Sequence, residues 1–239
     1  MKKTGSKKIA VMIAVLLCFA LLLTACGAGG KNKAEDGKET AAEENGSEKE
    51  GTSQENNETE TDGTSGQAAA QKDTDAMPHA VITVEKYGTI TVALDAEAAP
   101  ATVENFIKLS KEGFYDGLTF HRIMDGFMIQ GGDPNGNGTG GSDENIKGEF
   151  ASNGFENPIS HVKGVISMAR AADPDSASSQ FFITVADSTF LDGEYAAFGY
   201  VTEGMDVADK IAAEAQPVDG NGTILPEDQP VITSIVIEE

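Results

Sequence analysis

The chain is 239 residues long and carries 17 Lys and Arg against 39 Asp and Glu, a formal net charge of -22 that argues against nonspecific nucleic-acid binding. All but one of the 15 aromatic residues follow Ala76, so one folded domain is expected over residues 77–239, long enough to bury roughly 70% of its unfolded surface without disulfides or metals. Both cysteines, Cys18 and Cys26, precede it, which excludes a disulfide framework, a thiol nucleophile and a Cys-ligated zinc from the domain.

The chain opens with Lys2, Lys3, Lys7 and Lys8, followed by an apolar run from Ile9 to Leu23 that ends in Leu23-Thr24-Ala25-Cys26. A basic start and a short apolar stretch read as a secretory signal over residues 1–25. Small residues before a cysteine resemble the lipobox of bacterial lipoproteins, which implies lipidation of Cys26. The alternative is an uncleaved anchor, but about 15 apolar residues fall short of the roughly 20 that span a bilayer. In either case the domain lies on the extracytoplasmic face of the cell membrane, and a diacylated cysteine supplies the two chains that stable anchoring needs. From Gly27 to Ala76 there is no Val, Ile, Leu, Met, Phe, Trp or Tyr, while 13 acids face 5 lysines. Residues 26–76 are therefore expected to be a lipidated N-terminus and a disordered acidic tether reaching about 40 Å, because nothing there offsets chain entropy by burial. An acidic recognition tail is the competing reading of the same charges.

Within the domain, Ala80 to Glu85 and Gly88 to Leu94 are β-branched runs that predict an opening hairpin. Pro100 suits a first helical position, Val103, Phe106, Ile107 and Ser110 mark one face, and Gly113 is a stop. Short apolar pieces follow at Thr119 to Ile123, Phe127 to Ile129, Val165 to Ala169, Phe181 to Val185 and Ala197 to Val201. A second helix is predicted from about Met205 to Ala213, and Val231 to Ile237 closes the chain as a strand. Many short strands with two helices predict a mainly β fold, a closed antiparallel barrel with helices over its open ends.

Two motif matches in one loop, and the three histidines, have plainer explanations. Asp133, Asn135, Asn137, Gly138 and Glu144 satisfy the spacing of a calcium loop, yet Gly131-Gly132 stand where an entering helix belongs, and no metal site is expected. Gly136, Gly138 and Gly141 satisfy G-x-G-x-x-G, but no helix pattern follows to receive a phosphate. His79, His121 and His161 are too scattered for a metal pair or a partnered nucleophile, so structural roles are expected. What stands out is the grouping Phe120-His121-Arg122, Gly126 to Gly132 and Ser179 to Ile183. Period-two alternation places Phe120 with Arg122 on one face of a strand, and Met128 with Gln130 on one face of the next. A cation beside an apolar floor suits an apolar group attached to a carbonyl. The competing reading is a plain core with a surface arginine.

Phe120-His-Arg-Ile-Met-Asp-Gly-Phe-Met-Ile-Gln-Gly-Gly-Asp133, Asn137-Gly-Thr-Gly-Gly141, Ser167-Met-Ala169, Ser179-Gln-Phe-Phe-Ile183, Leu191-Asp-Gly193 and Phe198-Gly199 strongly resemble the cyclophilins, in the family's order and over nearly all of Ala80 to Ile237. The resemblance implies an eight-stranded closed antiparallel β-barrel capped by two α-helices, and peptidyl-prolyl cis-trans isomerase activity without a cofactor. By position, Arg122 matches the family's catalytic arginine and Gln130 its polar partner. Phe127, Met128, Phe182 and Leu191 match its proline pocket, and Ala169 and Gln180 match residues along the peptide groove. Arg170, Phe190 and Tyr195 replace a usual Asn, Trp and His; the first implies altered backbone pairing to the substrate, and the other two imply a reshaped pocket rim. The implied partners are proline-containing unfolded or nascent secreted polypeptides, met by a membrane-tethered monomer through lipidated Cys26. A proline-peptide-binding chaperone with little catalysis is the alternative.

Overall fold

The computed structural model describes residues 73–239. The signal segment 1–25, Cys26 and nearly all of the 26–76 tether lie outside the described residues. Among the described residues, no helix is long and apolar enough to cross a membrane.

The β-branched runs become strands because each can bury alternate side chains on one sheet face. In chain order these are β1 (His79–Val84), β2 (Gly88–Leu94), β3 (Phe120–Met124), β4 (Met128–Gly131), β5 (Val165–Met168), β6 (Phe181–Thr184), β7 (Ala197–Glu203) and β8 (Ile232–Glu238), with helices α1 (Pro100–Lys111) and α2 (Met205–Glu214). They form one eight-stranded sheet in the order β3-β4-β6-β5-β7-β2-β1-β8, and all seven neighbouring pairs run antiparallel. The sheet curls around a core in which Phe106, Tyr115, Phe120, Phe150, Phe181 and Phe198 are buried. Helix α1 packs beside β8 and α2 beside β2 and β4. Pro100 starts α1 as the sequence predicts. The donors of that first turn are met by the buried carboxylate of Glu149, which accepts from the backbone of Ala101 and Thr102 and from the Thr102 hydroxyl.

The expected closed barrel takes a more open form here. β3 and β8 end the strand order with no ladder between them, and a single bridge pairs Thr119 with Val231. Hydrogen bonds from Phe120 N to Pro230 O and from Ile232 N to Leu118 O join the two edges near that point. Pro230 has no N–H to donate, so the pairing does not extend into a second ladder. Farther along β3, the edge is met by residues 222–224: Ile123 N donates to Gly222 O and Ile224 N to His121 O.

One expectation about β3 is overturned. Phe120 pairs with Gly131 but Arg122 pairs with Gln130, so β3 advances two residues while β4 advances one. His121 is the extra residue of a β-bulge, and it turns Phe120 and Arg122 to opposite faces. Phe120 is fully buried against Phe181, whereas Arg122 stands outside with Gln130. Gly131 makes the bulge possible, since a Cβ there would sit 2.8 Å from Thr119 O and 3.1 Å from the Phe120 ring.

Candidate active site

Period-two alternation on β4 and β6, together with the bulge on β3, gathers the site on the outer sheet face. Gln130 lies opposite both Arg122 and Phe182, and Met128 lies opposite Met124. Met128, Phe182 and Leu191 form a buried apolar floor, with Phe127, Ala169, Tyr195 and Met124 packed half-buried around it. A groove of about 350 Å³ lies above this floor, lined by Arg122, Phe127, Met128, Gln130, Ala169, Arg170, Phe182, Phe190, Leu191 and Tyr195. A more polar cavity of about 340 Å³ adjoins it, with Gln130, Ala169 and Arg170 on the shared ridge and Gln180 beyond. Ten of the eleven residues singled out in the domain thus line one groove, and Gln180 lines the cavity beside it.

Polar atoms run across the groove as a chain. Arg122 Nη1 donates to Gln130 Oε1 at 3.1 Å, Gln130 Nε2 donates to Gln180 Oε1 at 3.0 Å, and Gln180 Nε2 donates to Gly140 O at 2.7 Å. Arg122 Nε donates to Asn221 O at 2.7 Å. The other close neighbours of the guanidinium are the sulfurs of Met124 and Met128, weak acceptors that leave donor capacity unused. Burial pushes the Arg122 pKa down from its ordinary value, opposed by Tyr195 and Asp219. An arginine starting so high remains charged, so the groove holds a partly desolvated cation with donors to spare.

The floor is supported from below by residues that sequence reasoning did not connect. The His161 ring stacks on Phe182 at 6.1 Å between centroids. Its Nδ1 lies 2.9 Å from Asp192 Oδ1, and its Nε2 lies 3.0 Å from Ser167 Oγ. This Ser-His-Asp line has the order of a hydrolase triad, but His161 and Ser167 are both 0% exposed, so no substrate reaches the hydroxyl. Its work here is to tie β5 to the turn carrying Leu191. The three residues had no recognisable spacing, and only the resemblance blocks containing Ser167 and Asp192 came near them.

Arg170 lines both cavities. It is held between the rings of Phe150 and Tyr195, each 4.9 Å from its guanidinium carbon, and its Nε donates to Glu194 O at 3.0 Å. It forms a wall of the ridge. Phe190 is 71% exposed and leans on Phe127 with ring centroids 5.5 Å apart. The calcium-like loop is organised from within, because Asp133 accepts the backbone N–H groups of Asn135, Asn137 and Gly138. Among the described residues, no group of three or more His, Cys, Asp or Glu side chains could hold a metal ion.

Residues 79–237 match the family model of the cyclophilin type peptidyl-prolyl cis-trans isomerase/CLD. A peptidyl-prolyl cis-trans isomerase of Helicobacter pylori (strain J99) is 49% identical over 126 residues, covering 52% of this chain and 75% of that protein. Peptidyl-prolyl cis-trans isomerase B of Escherichia coli (strain K12) is 40% identical over 163 residues, covering 64% of this chain and 96% of that protein. Among solved structures, a Cryptosporidium parvum cyclophilin type peptidyl-prolyl cis-trans isomerase, crystallised in the presence of the dipeptide Ala-Pro, aligns with a TM-score of 0.59 and 30% identity. That alignment covers 67% of this chain and 99% of the other.

Proposed function

This chain belongs to the cyclophilin-type peptidyl-prolyl cis-trans isomerases and has their activity, and from that premise we propose that Arg122 is its catalytic donor above a proline pocket floored by Met128, Phe182 and Leu191. A peptide bond resists rotation by about 18 to 20 kcal/mol because the nitrogen lone pair conjugates with the carbonyl. Twisting the bond localises that pair on the prolyl nitrogen. A donor beside it then binds the twisted state better than either planar one, which is the condition for catalysis. The observation that carries this reading is Arg122 itself: fixed by Gln130 and Asn221, partly desolvated over the Phe127 ring, and with its remaining donors facing the thioethers of Met124 and Met128. The apolar floor holds the ring still, so rotation moves the carbonyl side. Gln130 holds the guanidinium plane, and Ala169, Gln180 and the Arg170 ridge guide the peptide that enters across the shared wall. Phe127, Phe190, Leu191 and Tyr195 bound the proline end.

Arg122→Ala should lower turnover about 100-fold or more, roughly 2.7 to 4 kcal/mol by analogy with losing a preorganised donor, while peptide affinity changes little. Arg122→Lys should also be poor, since an ammonium lacks the planar fork. A well-folded Ala variant that isomerises prolyl peptides within about threefold of wild type, less than 1 kcal/mol of barrier, would overturn this assignment.

The proposal extends to setting. Residues 1–25 act as a lipoprotein signal peptide and lipidated Cys26 with the 26–76 tether holds the 77–239 domain, as a monomer, on the extracytoplasmic face of the membrane. There it meets proline-containing segments of secreted or surface proteins as they fold. The basic start, the short apolar run and the small residues before Cys26 support this reading. The facing edges of β3 and β8 are taken as the seam of a barrel. Cys26→Ala should abolish lipid labelling and release the protein or leave it unprocessed; labelling that persists in that variant would refute the anchor.

A further inference from the structure

We propose that Asp219 is a positioning residue for Arg122, acting by folding the 219–223 turn so that the Asn221 carbonyl fixes the guanidinium. The inference rests on the reading of Arg122 as catalytic donor and adds a residue that lies outside the groove. Arg122 Nε donates to a backbone oxygen, Asn221 O, at 2.7 Å, so no side chain at position 221 advertises the contact. What places that oxygen is Asp219. Its Oδ1 accepts from Asn221 N at 2.9 Å and Thr223 N at 3.1 Å, and its Oδ2 accepts from Thr223 Oγ1 at 2.9 Å.

The turn so formed is locked to the strand that bears Arg122. Val218 N donates to Thr223 O, Ile123 N donates to Gly222 O at 2.8 Å, and Thr223 forms a bridge with Arg122 itself. Gly222 has φ +86° and lies so near β3 that a Cβ would stand 2.6 Å from both Ile123 O and Met124 Cγ. The turn therefore cannot shift toward or away from β3 without breaking these bonds, and its carbonyl is a fixed acceptor. A guanidinium has many rotamers, and its catalytic value depends on holding one of them within a fraction of an ångström. Gln130 fixes one end of the fork and Asn221 the other. The same hydrogen bonds, those from Thr223 first, hold the Asp219 carboxyl below the usual carboxylate range.

Two substitutions separate shape from charge at this exposed position. Asp219→Asn loses the charge but keeps an oxygen for the two backbone donors and an amide that can donate to the Thr223 hydroxyl. Asp219→Glu keeps the charge but displaces the acceptors by a methylene. Steady-state isomerisation, peptide titration and melting are measured on the full chain, alongside Arg122→Ala. Asp219→Asn should stay within threefold of wild type in kcat. Asp219→Glu should lose about tenfold in kcat, the size of one charge-assisted hydrogen bond, with KM and peptide Kd within about twofold. The Arg122 Nε–H proton resonance should shift or broaden only in Asp219→Glu. A charge effect would give the reverse order, and a loss confined to KM or melting would mean a merely structural turn; either result overturns the proposal. Asp219→Glu at wild-type kcat also overturns it, provided Arg122→Ala is inactive. If Arg122→Ala is active, it is the assignment of Arg122 that fails instead.

Discussion

The two faces of the β3–β4–β6 sheet are made by residues of the same strands, alternating on β4 and β6 and offset by the bulge on β3, yet they meet opposite demands. Inward, Phe120, Ile123, Ile129, Phe181 and Ile183 are all 0% exposed. The Phe181 ring meets Phe106, Tyr115 and Phe120 in near-perpendicular contacts, a packing that leaves no room for change. Outward, Arg122, Gln130, Met128 and Phe182 form a groove whose polar atoms are linked to one another and whose guanidinium keeps donors unspent. On β4 and β6 one residue of spacing separates the side chains that hold the fold from those that line the groove. Hydrogen-bond capacity is left over in both settings: at the Arg122 donors on the groove face, and at the two ring nitrogens of His121, which are buried without a partner.

The sharpest way to break that division is Phe181→Ala, one residue from the groove floor at Phe182. Removing a fully buried phenylalanine should destabilise the domain by about 3 to 5 kcal/mol. Urea unfolding would read this as a lower midpoint, while kcat/KM per folded molecule stays within about threefold of wild type. A large loss of turnover at unchanged stability would show that the inner face participates in catalysis and that the two faces are not separable.

The division was only partly legible in the sequence. The eight strands and two helices were readable to within a residue or two, because β-branched runs bounded by Gly, Asp and Asn dictate where pairing can start and stop. The sidedness of β3 was not. Counting by twos placed Phe120 and Arg122 together, and nothing in Phe120-His121-Arg122 announces that His121 is an inserted residue; the sign lies on the partner strand, at Gly131. Arg170 was placed along the groove by resemblance, whereas its conformation is set by Phe150 and Tyr195, which approach it only in the fold. Asn221 was invisible for a different reason, since it contributes a carbonyl that every residue type possesses.

Protons probe the buried side of the comparison. His121 is 4% exposed and His161 is 0% exposed. Burial pushes both pKa values below the ordinary 6.5, against the pull of Asp133 on His121 and Asp192 on His161. The unfolded chain therefore binds these protons more readily than the folded one. Their stabilisation is complete above about pH 6.5 and is lost as pH falls from there through the lowered folded values. Carboxylates act in a separate window. Burial would raise Asp133 and Asp192, but the hydrogen bonds they accept outweigh it, and Asp175, Asp219 and Glu239 are likewise held low. Stability from these acids is lost only as pH falls below their ordinary range of about 4. The urea midpoint should therefore decline between about pH 7 and 5, and replacing His161 with Gln should flatten the slope. A midpoint unchanged over that interval would mean the two histidines are not held neutral by burial.

The smallest effect is expected at the outermost point of the groove. Phe190 is 71% exposed, and the main contact it makes there is with the Phe127 ring, 5.5 Å away between centroids. Phe190→Ala should leave melting unchanged, because little apolar area is uncovered in the free protein. Peptide binding is different, since a substrate residue beside the proline would cover that ring. Aromatic contacts of this kind contribute about 0.5 to 1.5 kcal/mol, so KM for a prolyl peptide should rise about two- to tenfold. Turnover should not move, because the donor is fixed by Gln130 and Asn221 rather than by Phe190. Parallel titrations with Ala or Phe beside the proline would sharpen the point: the aromatic peptide should lose more affinity than the alanine peptide. Equal losses for both, or a fall in kcat, would place Phe190 within the catalytic frame and move the boundary between the rim and the site inward.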